Sequence, residues 1–129
     1  MSDKVLVVDD EAQVGELFTE LLKKEKCEVK CVTSGEEALE IINKEDFAVV
    51  LLDIKLPGIS GIETLEKIRA IKPNQIVIMI TGFGYDEELI AKSKELGCSG
   101  YISKNMPIRD IVDNFRLFAK TAKKKAEEK

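Results

Sequence analysis

Three aspartates stand where two apolar runs stop. Val5-Leu6-Val7-Val8 ends in Asp9-Asp10, and Ala48-Val49-Val50-Leu51-Leu52 ends in Asp53. Short unbroken runs rich in β-branched residues are the pattern of strands buried on both faces, and in an open parallel sheet ligands sit in the crevice beyond the carboxyl ends of such strands. Acids gathered there raise one another's pKa and cost stability unless a cation joins them. Carboxylate oxygens are hard donors that suit Mg²⁺ better than zinc. Two further runs end in complementary groups, Ile76 to Ile80 in the hydroxyl of Thr81 and Gly100 to Ser103 in the ammonium of Lys104. A metal cage, a carboxylate nucleophile, a hydroxyl and a fixed cation are the parts phosphoryl transfer needs, because the protein's task there is in-line positioning and neutralising charge.

For these groups to meet, the strands must lie side by side. Strand patterns at 4–8, 28–32, 48–52, 76–80 and 100–103 alternate with segments of helical period, the mark of βαβ units and a parallel sheet. The fold class expected is α/β, a doubly wound five-stranded parallel sheet. In the order 2-1-3-4-5, strands one and three are neighbours, roughly 4.8 Å apart, and Asp9, Asp10 and Asp53 converge at one edge.

The intervening helices carry their own start and stop signals. Helix one is expected from about Asp10, with Asp10 and Gln13 spaced as a capping box and Val14, Leu17, Phe18, Leu21 and Leu22 as its apolar face. Ser34 and Glu37 repeat that spacing before helix two, which turns Ala38, Leu39, Ile41 and Ile42 inward. Helix three, 62–71, follows a Pro57-Gly58 turn and Gly61, and helix four, 86–96, ends at Gly97. Helix five starts near Pro107 with Ile108, Ile111, Val112, Phe115 and Phe118 as its stripe.

The chain of 129 residues, 44% hydrophobic, suits one core and one domain. The domain is expected to span 1–122, with 123–129 a charged, solvated tail. A net charge of −4 argues against general nucleic-acid or membrane binding. With no signal-peptide pattern and no apolar run of membrane-spanning length, the expected location is the cytoplasm. Cys27, Cys31 and Cys98 lack a C-x-x-C spacing and read as small buried hydrophobes. The chain has no histidine, which excludes His-based general acid–base catalysis, Ser-His-Asp or Cys-His triads, and a phosphohistidine of its own.

Over residues 4 to 118 the chain resembles the receiver domain of two-component response regulators, of flavodoxin-like (βα)5 fold. The resemblance is carried by Val7-Val8-Asp9-Asp10-Glu11, Leu52-Asp53-Ile54-Lys55-Leu56-Pro57-Gly58 with Gly61, Ile80-Thr81-Gly82 and Gly100-Tyr101-Ile102-Ser103-Lys104, in order. It implies that Asp53 accepts a phosphoryl group from a sensor histidine kinase, a phosphotransfer protein or a small phosphodonor. It implies Mg²⁺ held by Asp9, Asp10, Asp53 and the Lys55 backbone carbonyl, with Asp10 the more direct of the first two acids. Lys104 would contact the phosphoryl group, and Thr81 with Tyr101 would form a switch pair that alters the surface of helix four, strand five and helix five, where a downstream protein or output domain is met. Lys55 and Phe83, two residues beyond Asp53 and Thr81, are expected at the mouth of the site. No turnover of an external substrate is expected, and a stand-alone regulator acting by protein–protein contact is preferred.

In one place the chain departs from the pattern. Many relatives have proline directly after the lysine, in a cis bond, whereas Asn105 follows Lys104 here. A cis bond before Asn105 would cost about 3 kcal/mol relative to trans, so trans is expected. The alternatives are a receiver-like interaction module that works without phosphate and a haloacid-dehalogenase-like phosphatase. The latter is disfavoured because such enzymes carry nucleophile and acid as D-x-D on the first strand.

Overall fold

Val5 to Val8 and Val49 to Leu52 are at most 1% exposed, as unbroken apolar runs require when both faces of a strand are covered. The computed structural model describes residues 3–82 and 87–127. Strands β1 (Lys4–Val8), β2 (Glu28–Val32), β3 (Val49–Asp53), β4 (Ile76–Thr81) and β5 (Gly100–Ser103) alternate with helices α1 (Ala12–Lys23), α2 (Gly35–Lys44), α3 (Gly61–Ile71), α4 (Glu87–Glu95) and α5 (Ile108–Glu127). All neighbouring strands are parallel, in the expected order β2-β1-β3-β4-β5.

The two-residue period of a strand sorts the core into two layers. Val5, Val7, Val49, Leu51, Ile78, Ile80 and Ile102 pack with Phe18 and Leu22 of α1 and Ile111, Phe115 and Ala119 of α5. Leu6, Val8, Val50, Leu52, Val77 and Met79 pack on the other face with Ala38 and Ile42 of α2 and Leu65 and Ile68 of α3. Asp9, Asp53 and Lys104 continue the odd or even row of the first layer on their strands. Thr81 and Tyr101 fall on the rows of the second, and Tyr101 packs against it.

Two helix starts follow the spacing of their caps. Ser34 and Ser60 accept from the N–H groups of Glu37 and Glu63, at 3.2 and 3.1 Å. The start of α1 does not. Its N-cap is Glu11, without a side-chain cap, and Asp10 is exposed, because Asp9 Oδ1 takes the Glu11 N–H at 2.9 Å and turns the chain past the position expected for the cap. Ile108 also departs from expectation. It is 55% exposed, since α5 meets the core only from Ile111 onward. The cysteines form no disulfide, and none is fully buried: Cys31 is exposed because β2 is an edge strand, and Cys27 and Cys98 are half-buried. Among the described residues no helix is long and apolar enough to cross a membrane.

At the edge of the sheet away from the aspartates, Glu45 ties the first two strands together, with Oε1 2.6 Å from Lys4 Nζ and 2.8 Å from Lys30 Nζ. Hydrogen bonds from Lys30 and Lys4 hold its carboxyl down at about 2. A folded-state pKa below the unfolded one gives stability that is complete above the unfolded value and lost as pH falls through the folded one. Glu45→Gln should therefore melt below wild type at pH 7. The gap should close between about pH 5 and pH 2 in thermal melts, and a gap that persists at pH 2 would refute the charge-based account.

Candidate functional site

Val8 pairs with Leu52, so the next residues, Asp9 and Asp53, leave the sheet side by side. Both are buried, at 3% and 4% exposure. The ladder continues past β5, where the Lys104 N–H donates to Thr81 O at 2.8 Å, and past β3, where the Ile54 N–H donates to Ile80 O at 3.1 Å. Lys104 then reaches across β4. Its Nζ lies 2.9 Å from Asp9 Oδ2, 3.0 Å from Glu11 Oε1 and 3.1 Å from Asp53 Oδ2. The peptide bonds of the described residues are all trans, the one before Asn105 included, and the Asn105 N–H turns back onto Ser103 Oγ at 3.2 Å.

The β3–α3 loop is closed by a glycine that no other residue can replace without movement. The Gly61 N–H donates to Ile54 O at 2.9 Å, and a Cβ there would run into the Asp53 carbonyl and lie 2.7 Å from Ile54 Cα. Gly58, at φ +73°, lets the turn pass beside Glu36 of α2, whose Oε1 accepts the Ile59 N–H at 3.2 Å. So anchored, the loop directs the Lys55 N–H onto Asp53 Oδ1 at 3.2 Å.

Burial pushes the Asp53 carboxyl above its ordinary pKa, and the charge of Asp9 adds to it, while Lys104 and the Lys55 N–H pull it back. Burial works against the charge of Lys104 as well. Its contacts with Asp9, Glu11 and Asp53 outweigh that cost and raise its pKa above the usual lysine value, so the ammonium stays charged. Asp9 Oδ2 is fully buried and, although Lys104 stands close enough for an ion pair, receives no well-directed hydrogen bond.

Asp9, Asp10 and Asp53 each offer a carboxylate oxygen, all within 4.8 Å of one another. This donor set is hard and anionic, one of its buried oxygens lacks a hydrogen bond, and Asp10 opens it to solvent. It fits Mg²⁺, which is held by one or two carboxylates and keeps several of its waters.

The structure thus brings together four of the residues expected here, Asp9, Asp10, Asp53 and Lys104. The Lys55 side chain is exposed. Thr81 and Tyr101 line one cavity of about 270 Å³ with Ile90 and Met106. Phe83 lies outside the described residues. Glu11 was given no role by the sequence, because its partner Lys104 is 93 residues away. A third consecutive acid after an apolar run was the one available signal.

The family model of the response regulator receiver domain matches residues 5–116. Sporulation initiation phosphotransferase F of Bacillus subtilis is 38% identical over 118 residues, covering 92% of this chain and 94% of that protein. A CheY-like response regulator receiver domain protein of Methanospirillum hungatei superposes with a TM-score of 0.89 at 30% identity, over 97% of this chain and 99% of the other. NtrX of Brucella abortus gives 0.90 at 29% identity, over 98% of this chain but 29% of the longer one. With the aspartate pair at the β1 and β3 ends and the lysine after β5 in place, these matches show that the chain belongs to the response regulator receiver domain family, a family of signalling domains.

Proposed function

We propose that this chain is the phosphoacceptor switch of a phosphorelay, with Asp53 as the acceptor. The observation that carries this reading is the setting of Asp53: a buried carboxylate at the end of β3, beside two further acids and 3.1 Å from a charged lysine. Its likeness over nearly the whole chain to a protein named a phosphotransferase supports the phosphorelay.

One carboxylate oxygen of Asp53 attacks the phosphorus of a phosphohistidine on a histidine kinase or phosphotransfer protein, or of a small phosphodonor. The new P–O bond forms as the bond to the donor breaks, the donor keeps the bonding pair, and an acyl phosphate is left on Asp53. Asp9, Asp10, Asp53 and the Lys55 carbonyl would hold Mg²⁺, which would supply neutralisation of charge on the transferred oxygens. Lys104 exchanges part of its contact with Asp53 for a charge-assisted hydrogen bond to the phosphoryl group. The Thr81 hydroxyl turns to that group too, Tyr101 moves inward, and the face of α4, β5 and α5 changes for a downstream protein or output domain. A cytoplasmic setting follows from that role.

If the acid cluster holds the metal, Mg²⁺ should raise the melting temperature by mass action. Asp10→Ala should respond far less, and equal responses in calorimetry would reject the assignment. A small acyl phosphate with Mg²⁺ should label wild type and leave Asp53→Asn unlabelled in intact-protein mass spectrometry. Comparable labelling of the mutant would remove Asp53 as acceptor.

The duration of the signal depends on water reaching the acyl phosphate in line. Lys55, exposed two residues beyond Asp53, donates and cannot accept a proton from that water while charged. Phe83 offers no hydrogen bond to orient it. Lys55→Asn and Phe83→Ala should each shorten the half-life of phosphorylated protein, measured by loss of label, and unchanged decay in both would show that neither side chain gates the water.

A further inference from the structure

Tyr101 lies on β5, an edge strand, so a helix covers it from one side and solvent reaches the other. On the α4 side the Nζ of Lys94 stands over its ring, 5.4 Å from the centroid, within the distance at which an ammonium is attracted to an aromatic face. The helix end that carries Lys94 is anchored through its backbone. Arg69 of α3 donates from Nε to Leu96 O at 2.9 Å and from Nη2 to Gly97 O at 2.7 Å, and its Nη1 reaches Gln75 O at 2.5 Å. A cation satisfying the last carbonyls of a helix is favoured by both hydrogen bonding and the helix dipole. The end of α4 that carries Lys94 is therefore fastened to α3 and to the start of β4.

The ring has somewhere else to go. Tyr101 lines an open pocket of about 270 Å³ together with Thr81, Ile90 and Met106. A turn of the phenol deeper into it that carries the ring away from Lys94 gives up this contact. We propose that Lys94 is a positioning residue that holds Tyr101 in its resting place, so that its charge sets how readily the ring turns into the cavity beside Thr81. This rests on the phosphoacceptor reading for what the turn accomplishes, and adds a residue on α4, outside the charged site, that biases the resting population. At an exposed site a cation over a ring shifts such a ratio by about two- to fivefold.

The test uses the full chain carrying fluorotyrosine, with Tyr85→Phe so that Tyr101 alone reports in fluorine NMR. Lys94→Met keeps the stem and loses the charge, while Lys94→Arg keeps a cation over the ring. Without ligand, Lys94→Met should move the Tyr101 resonance toward its position in wild type with Mg²⁺ and beryllofluoride, and Lys94→Arg should restore the wild-type position. Half-saturation by beryllofluoride should fall about two- to fivefold in Lys94→Met. A Lys94→Met resonance identical to wild type, or an arginine variant displaced as far as the methionine one, would overturn the clamp. Failure of wild type to bind beryllofluoride, with Asp53→Asn as control, would instead overturn the phosphoacceptor reading, and the ligand-free comparison would still decide whether Lys94 holds the ring.

Discussion

A single ammonium, that of Lys104, lies 2.9 Å from Asp9, 3.0 Å from Glu11 and 3.1 Å from Asp53, and the arrangement of the sheet can be understood from what this contact requires. Asp9 and Asp53 leave neighbouring strands at the same level, both nearly dry, so each disfavours the charge of the other. A cation must stand between them, and it comes from β5, two strands from β3 with β4 intervening. Only a long stem starting one residue past the strand spans that gap. The cost of gathering these groups falls on the core, where rows of side chains with no exposed surface line both faces of the central strands. Each such side chain contributes about 1.5–3 kcal/mol relative to leaving it in water, enough in number to hold a cluster that is unfavourable by itself.

The parts legible in the sequence are those whose cause is local. Strand ends are readable because an apolar run stops at a charge, and the Ser34 cap because its hydroxyl meets an N–H three residues on, whereas the equivalent Ser60 cap of α3 went unread behind the glycine-rich turn. Asp10 had the same spacing to Gln13 and yet caps nothing, since the Asp9 carboxylate takes the Glu11 N–H and the helix starts one residue later, with Glu11 at its N-cap. That start depends on where the Asp9 carboxylate lies, and the lysine after β5 pairs with it. Glu11 with Lys104 and Glu36 with Ile59 are likewise pairs that exist only once the strands are ordered. Cys31 and Ile108 erred for a different reason. Apolar character says that a residue can be buried, while the exposure of β2 as an edge and of the first turn of α5 depends on what the tertiary fold leaves uncovered.

The two-residue period of the strands also divides labour between the faces of the sheet. Asp9, Asp53 and Lys104 belong to the rows that face α1 and α5, whereas Thr81 and Tyr101 belong to the rows that face α2, α3 and α4. Charge is handled on one side and the Tyr101 ring stands on the other. What joins them is backbone: the Lys104 N–H on Thr81 O, and the Ile54 N–H on Ile80 O, one residue before Thr81. On the phosphoacceptor proposal, a displacement of Lys104 or of Asp53 toward a new partner would pull on the end of β4, and Thr81 is the residue that end carries.

Such a pull cannot be absorbed in the centre. Close-packed interiors transmit strain rather than deform continuously, and β1 from Val5 on, β3 and the middle of β4 are packed almost without exposed surface on either face. The yielding region must be at the edge, where β5 has a neighbour on one side only and α4 buries only Ile90 and Ser93 among its described residues. Yet α4 is not loose throughout. Arg69 fastens the end that carries Leu96 and Gly97, so the freedom left to this edge is concentrated toward Ile90 and the cavity beneath it. On the switch proposed above, a helix fixed at one end, a ring at the rim of a cavity and a hydroxyl at the end of the neighbouring strand would supply two packings, the choice between them turning on where a few charges at the end of β3 are satisfied.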